Sequence, residues 1–201
     1  MNYNKDTSNK ILDSATIEFE EKGYSGARMQ SIADRAGINK ALLHYYYKSK
    51  DALFQLIIQK AINLFIPNLA KSFNESTDFF TGLEEFIAAY IDFLIKHPRI
   101  PGFITHEINN NPERVLNLFR ASGLDIEPLK QKIKKAAADG LIDDIAPEQL
   151  IINVISLSVF PFVAQPIITG IVLNNDKAAY QQLMEARKKE VSQFIIKAIK
   201  K

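Results

Sequence analysis

The chain has no cysteine, which excludes a disulfide framework and any thiolate chemistry. Glycine and proline are sparse at eight each in 201 residues, and valine and threonine are few, a balance that favours helix over sheet. Three histidines, His44, His97 and His106, stand far apart without metal-ligand spacing. There is no His-Glu-x-x-His pairing and no Gly-rich phosphate loop. The adjacent acids Glu84-Glu85 and Asp143-Asp144 read as solvated rather than catalytic. No metal and no cofactor is expected, and an enzyme is the weakest of the readings weighed. Charge of one sign is also lacking: 25 Lys and Arg against 23 Asp and Glu leave a net +2, so a case for nucleic acid must rest on local patterning. The first residues carry no apolar signal-peptide core, so a cytoplasmic location is expected. What is present is 47% hydrophobic and 24% charged residues, enough for a core in one large domain or in a small domain followed by a medium one.

Residues 28–50 are the most informative stretch. Met29, Ile32, Ala33 and Ala36 recur at helical spacing and give a first short helix one apolar face. Gly37 ends it, because the left-handed conformation carries no steric penalty for glycine. Ile38 returns to the core, and Asn39 is placed to cap a second helix from Lys40. Ala33 is small where two helices meeting near a right angle need close approach, and Leu43 with Tyr46 or Tyr47 completes the buried side. The pattern is a helix-turn-helix, whose second helix is shaped for the major groove of DNA.

Charge in this stretch agrees. From Arg35 to Lys50 there are four cations and no acid, bracketed by Asp34 and Asp51. The outer side of the second helix mixes Lys40, Lys48 and Lys50 with His44 and Tyr45, groups suited to phosphate contact. Ser49 reads as the cap of the next helix, which puts Lys50 in its first turn against the helix dipole. A phosphate arriving at that terminus would reverse the sign of the effect; the other reading is a solvated surface lysine.

Helical patterning extends along the rest of the chain. Helix is expected over about Ser8–Lys22, ended by Gly23, with Tyr24 packing back on the stripe of Ile11, Leu12, Ala15 and Phe19. A long helix begins near Ser49 and stops at Pro67, or kinks there toward Phe73. Asn74–Asp78 reads as a loop, followed by helices over about Gly82–Lys96 and Gly102–Asn109. The Asn109-Asn110-Asn111-Pro112 turn opens a helix carrying Val115, Leu116, Leu118 and Phe119, and another runs over about Ile126–Asp139. Two long helices, roughly Pro147–Leu173 and Asp176–Lys200, close the chain. Residues 149–175 hold no charged side chain, a length that would suffice for a membrane span, but Pro161, Pro166, Asn153, Gln165 and Thr169 argue against one. The favoured reading is a helix buried on nearly all sides, which needs a further surface to cover it, such as a second copy of the chain.

The chain resembles TetR-family transcriptional regulators across about residues 8–57, through Phe19, Gly23-Tyr24, Ile32-Ala33, Ala36-Gly37-Ile38, Leu43, Tyr46-Tyr47, Lys48-Ser49-Lys50 and Leu53. The resemblance implies an all-α fold: a three-helix DNA-binding domain (residues 1–50) and a helical effector-binding and dimerisation domain (residues 51–201). It implies a sequence-specific regulator, a repressor released from a palindromic operator by a small, largely apolar ligand, and a homodimer formed through the last two long helices. The alternative is a helical ligand-binding protein with lost or nonspecific DNA binding. The implied DNA contacts are Arg28, Asn39, Lys40, Ala41, Leu42, His44, Tyr45, Tyr46 and Lys50. Of these, Lys40, Ala41, Leu42 and Tyr45 are expected to read bases, and Arg28, His44, Tyr46 and Lys50 to hold phosphates. Leu42 and Tyr46 have core packing as their other reading. The chain departs from the family pattern at Ala27, where a threonine cap is usual; Ser25 or Gly26 is expected to cap instead.

Aromatic residues recur in the helical part after residue 74, and core packing accounts for most of them. The sharper reading is a pocket lined by Phe86, Tyr90, Phe93, Phe103, Phe119 and Phe160, with His106, Glu107 and Gln165 as its polar groups. Glu107 in an apolar cavity would favour a lipophilic cation.

Overall fold

The computed structural model describes the backbone of residues 3–75, 78–110 and 112–201, and the side chains in those ranges other than residues 3–5, 20, 61, 64–75, 103 and 110. In chain order the elements are α1 (Tyr3–Gly26), α2 (Met29–Ala36), α3 (Lys40–Tyr46), α4 (Lys50–Glu75), α5 (Phe79–Lys96), α6 (Ile100–Asn110), α7 (Pro112–Ala121), α8 (Glu127–Ala138), α9 (Pro147–Val163), α10 (Gln165–Ile167), a π-helical stretch (Ile168–Val172) and α11 (Lys177–Ile199). The fold is all-α; among the described residues, β pairing is limited to an isolated antiparallel bridge between Ile142 and Lys200. Two compact units, Met1–Asn63 and Leu64–Lys201, divide within α4.

In the first unit the apolar stripe of α1 is buried as Ile11, Leu12, Ala15 and Phe19, against Ile32 and Ala33 of α2, Leu43 of α3, and Leu53, Phe54, Ile58 and Ile62 of α4. Gly23 interrupts the helix where expected, with non-helical φ 69° and ψ 174°, and a short second piece continues α1 to Gly26 across the kink. That backbone region is essentially closed to residues with a Cβ. The kink turns Tyr24 back so that its ring stacks on Phe19 at 6.2 Å and meets Phe54 at 5.0 Å, while Phe19 and Phe54 sit edge-on at 5.1 Å. Aromatic pairs of this kind add about 0.5–1.5 kcal/mol each beyond area burial.

In the second unit α5 packs on α11 and α9, α8 on α9, and α6 on α7 and α9. Its core joins Leu83, Ile87, Ile91 and Leu94 of α5 to Leu150, Val154 and Phe162 of α9 and to Tyr180, Met184, Val191 and Ile195 of α11. The helix expected from Gly82 starts earlier, at Phe79, because the Asp78 carboxylate accepts the Thr81 N–H at 2.7 Å. Of the expected Asn74–Asp78 loop, Asn74 and Glu75 are helical, Asp78 is this cap, and residues 76 and 77 lie outside the described residues.

The helix expected from Pro147 to Leu173 is broken. α9 stops at Val163, and the following segment to Val172 is bent from it by 63°. Proline explains the break. Pro161 has no N–H for the Leu157 carbonyl one turn back. The Arg187 guanidinium on α11 donates to that carbonyl instead, and the Tyr180 hydroxyl, also on α11, donates to the Pro161 carbonyl at 3.1 Å. No single described helix is long and apolar enough to cross a membrane, and the bent pair Pro147–Val163 and Gln165–Val172 passes that test only jointly. Burial on nearly all sides is not seen within one chain. Leu150, Val154, Ser158 and Phe162 face inward, whereas Ile152, Ile155, Phe160 and Val163 form an exposed stripe.

Candidate nucleic-acid interface

The helix-turn-helix is fixed by local chemistry. Gly37 adopts φ 69°, ψ 32°, its N–H donates to the Asp34 carbonyl at 3.1 Å, and the Ile38 N–H reaches back to Ala33 at 3.0 Å. This closes α2 as the glycine-terminated motif requires. Asn39 Oδ1 accepts the Leu42 N–H at 2.7 Å, so α3 begins at Lys40. Ser49 Oγ accepts the Ala52 N–H at 3.0 Å and starts α4.

The start of α2 differs from expectation. Neither Ser25 nor Gly26 caps it; both belong to α1, and the N-cap is Arg28, without a side-chain bond of its own. Glu18 of α1 fills the gap. Burial raises its pKa, but the salt bridge to Lys22, the Arg28 N–H and the Ser31 hydroxyl together outweigh that and hold the carboxyl below its ordinary range. The Glu18 side chain is 1% exposed, lies 2.9 Å from Lys22 Nζ and 3.7 Å from the Arg35 guanidinium, and so ties α1 to both ends of α2. Reading the sequence for contacts alone missed Glu18. The signal was there: an acid inside the apolar stripe of Ile11, Ala15 and Phe19.

α3 turns one side inward through Leu43, which is fully buried, and presents Lys40, Ala41, Leu42, His44 and Tyr45 outward. Tyr45 is 81% exposed, and its ring meets that of Tyr46 edge-on at 5.7 Å. Tyr46 and Tyr47 are half-buried, and the hydroxyls of Tyr47 and Ser8 share a hydrogen bond of 2.8 Å. His44 Nδ1 lies 3.4 Å from the Lys48 carbonyl, and the Arg28 and Asn39 side chains are exposed. Lys50 is not simply solvated. Its ammonium donates to the Tyr24 carbonyl at 2.9 Å and the Ala27 carbonyl at 3.2 Å, and lies 4.5 Å from the Tyr24 ring centroid. Those carbonyls offset its unfavourable place at the start of α4, and one of its three N–H donors remains for another acceptor.

The described residues expected to line a ligand pocket differ in burial. Phe86, Tyr90 and Phe93 are half-buried along α5 against the core. Burial pushes the Tyr90 phenol up to about 12. Phe119 is half-buried on α7, and His106 is exposed on α6. Glu107 is buried but already paired with the Arg114 guanidinium at 3.1 Å, so it offers no unmet charge to a cation. Phe160, 64% exposed, and Gln165, also exposed, face outward rather than into the interior of the single chain. The Phe103 side chain lies outside the described residues.

An all-helical chain with a basic, solvent-facing second helix in a helix-turn-helix is a DNA-binding transcriptional regulator in architecture, and similarity to known proteins makes this specific. Residues 11–66 match the family model "Bacterial regulatory proteins, tetR family". The HTH-type transcriptional repressor NicS of Pseudomonas putida is 29% identical over 161 residues, covering 77% of this chain and 74% of NicS. The negative transcriptional regulator IcaR of the biofilm operon icaADBC in Staphylococcus epidermidis is 32% identical over 82 residues, 41% of this chain and 44% of IcaR, so the match spans under half of that relative. Among solved structures, a TetR/AcrR-family regulator from Thermobifida fusca superposes with TM-score 0.70 at 16% identity, covering 95% of this chain and 97% of its own, a likeness of fold. Residues 11–66 thus match the DNA-binding region of tetR-family regulators, and the chain as a whole is similar in fold to TetR-family proteins. Regulators of this family bind DNA and act as dimers with effector ligands.

Proposed function

We propose that this protein is a dimeric repressor that binds a palindromic operator through α3 and is released from it by a small, largely apolar ligand. Residues 1–50 serve as the DNA-binding domain and 51–201 as the effector-binding and dimerisation domain. The observation that carries the reading is the outward face of α3. Lys40, Ala41, Leu42 and Tyr45 project from a helix whose buried side and both ends are fixed, as base reading requires. Lys40 is suited to guanine O6 and N7, and Ala41 and Leu42 to thymine methyls. Arg28, His44, Tyr46 and Lys50 flank that face as phosphate contacts, with Asn39 beside them at the start of α3.

Dimerisation is proposed through α9 and α11. Ile152, Ile155, Phe160 and Val163 leave an apolar stripe on α9, and Leu183 and Phe194 leave apolar side chains exposed on α11. Large exposed apolar side chains in one band mark an interaction surface, and a two-fold contact would set the spacing of the two α3 helices. A ligand that favours a dimer with the wrong spacing draws the population off DNA, by no more than its differential affinity. Binding over a promoter blocks access, hence repression. A DNA target places the protein in the cytoplasm.

The test is fluorescence anisotropy of a labelled duplex across a salt series, beside sedimentation of the same protein. Lys50→Ala is expected to weaken binding to all sequences alike and to reduce the slope of log affinity against log salt by about 1. Phe160→Asp is expected to give monomers that bind DNA poorly. An unchanged salt slope removes Lys50 from the phosphate contacts, and a dimeric Phe160→Asp protein removes the α9 stripe from the interface.

A further inference from the structure

Three side-chain polar atoms are buried without a hydrogen-bond partner among the described residues: Ser158 Oγ, Thr169 Oγ1 and Arg187 Nε. All three belong to the corner made by the second half of α9, the π-helical stretch and α11, and α11 packs on both of the other two. Native interiors rarely leave such atoms unmet.

Arg187 has an unusual register. The buried face of α11 runs Tyr180, Met184, Val191, Ile195 at steps of three or four residues, and Arg187 falls on that face between Met184 and Val191. Its guanidinium reaches across to α9, where it donates to the Leu157 carbonyl freed by Pro161. Ser158, the next residue on α9, is 0% exposed and lies on the inward stripe with Leu150, Val154 and Phe162.

No described carboxylate pairs with Arg187. Asp92 of α5 and Glu185 of α11 pair with the neighbouring Lys188. Burial pulls the Arg187 pKa down, yet a guanidinium stays charged at any physiological pH. Among the described residues the corner therefore holds a half-buried cation without a counter-ion, an unmet N–H donor and an unmet hydroxyl, set among apolar side chains.

We infer that Arg187 and Ser158 form the anion-accepting end of the effector site, and that the effector is an amphiphilic carboxylate, with one anionic head and an apolar body. This rests on the proposed ligand control and deepens it. The sign of the ligand is opposite to that suggested by Glu107, whose charge Arg114 already meets. A carboxylate offers two acceptor oxygens to the Nε–H and the Ser158 hydroxyl, and charge-assisted bonds of this kind are roughly twice as strong as neutral ones. The apolar body would pack against Val154, Phe162 and Met184, core side chains of the same inward faces of α9 and α11.

The test is calorimetric binding to the full chain without DNA, using straight-chain alkanoates of graded length and arylalkanoates beside their primary amides. Wild type is expected to prefer the best carboxylate over its amide by about tenfold or more, the scale of a single charge-assisted contact. Arg187→Met is expected to abolish the preference, Arg187→Lys to keep part of it, and Ser158→Ala to weaken the carboxylate several-fold while leaving the amide unchanged. Because Arg187 also serves the Leu157 carbonyl, Ser158→Ala and Arg187→Lys keep the test valid if Arg187→Met fails to fold. No preference in wild type across the panel, or a preference that survives in these variants, overturns the inference. Arg187-dependent carboxylate binding that leaves DNA affinity unchanged supports the anion site and overturns ligand control.

Discussion

The two units treat polar side chains in opposite ways. In the first, the described polar groups that fix the helix-turn-helix find partners close at hand. Asn39 and Ser49 cap their own helices, Glu18 serves the start of α2, and Lys50 closes on the carbonyls of Tyr24 and Ala27. In the second, the corner between α9 and α11 leaves Ser158, Thr169 and Arg187 with atoms unmet. A surface that must present one shape to a rigid partner gains from being satisfied in advance. An interior that receives a ligand gains from groups that only the ligand completes.

That contrast orders the expected effects of mutation. Glu18→Ala should be the most damaging, because it strips Lys22, Arg35 and the Arg28 N–H of a buried carboxylate at once. Charge-assisted contacts are worth about 1.5–3 kcal/mol, and the partial exposure of both cations puts the expected loss near the middle of that range, at about 2 kcal/mol. Urea unfolding followed by circular dichroism measures it. The same carboxyl gives a pH dependence. Its folded pKa lies below the ordinary 4.5, so its contribution is complete well above 4.5 and is lost as pH falls through the lower folded value. The Glu18→Ala protein should show a shallower acid loss than wild type. Gly23→Ala follows at about 1–2 kcal/mol, since a Cβ meets no neighbour there but the backbone region itself is strained. Asn39→Ala should remove about 1 kcal/mol as a lost cap and weaken DNA binding as well. Ser158→Ala should be the mildest, within about 0.5 kcal/mol of wild type or slightly stabilising, because no hydrogen bond is broken. A Ser158→Ala loss as large as that of Asn39→Ala would erase the contrast between the units.

The first unit was largely legible because its determinants are local in sequence. Gly37, Asn39 and Ser49 act within three or four residues of themselves, and each does in the structure what its spacing implied. The start of α2 was not legible: its support comes from Glu18, ten residues upstream of Arg28 and on another helix. In the second unit the helices were legible and their company was not. A string cannot separate a phenylalanine packed on a core, such as Phe86, from one facing solvent, such as Phe160, since both sit at helical spacing. Pro161 and Pro166 in the sequence argue against a membrane span, but the carbonyls that Arg187 and Tyr180 serve near Pro161 depend on packing against α11, which a string does not contain. An arginine within an apolar stripe was the clue available at Arg187.

The most direct test of the central claim is selection of bound DNA from a random duplex pool at physiological salt, run with wild type and with Lys40→Ala. The account predicts an inverted repeat with fixed half-site spacing for wild type, and the same repeat with relaxed preference at one position per half-site for Lys40→Ala. Binding without any shared motif, or a motif that Lys40→Ala leaves unchanged, would contradict base reading by the outward face of α3.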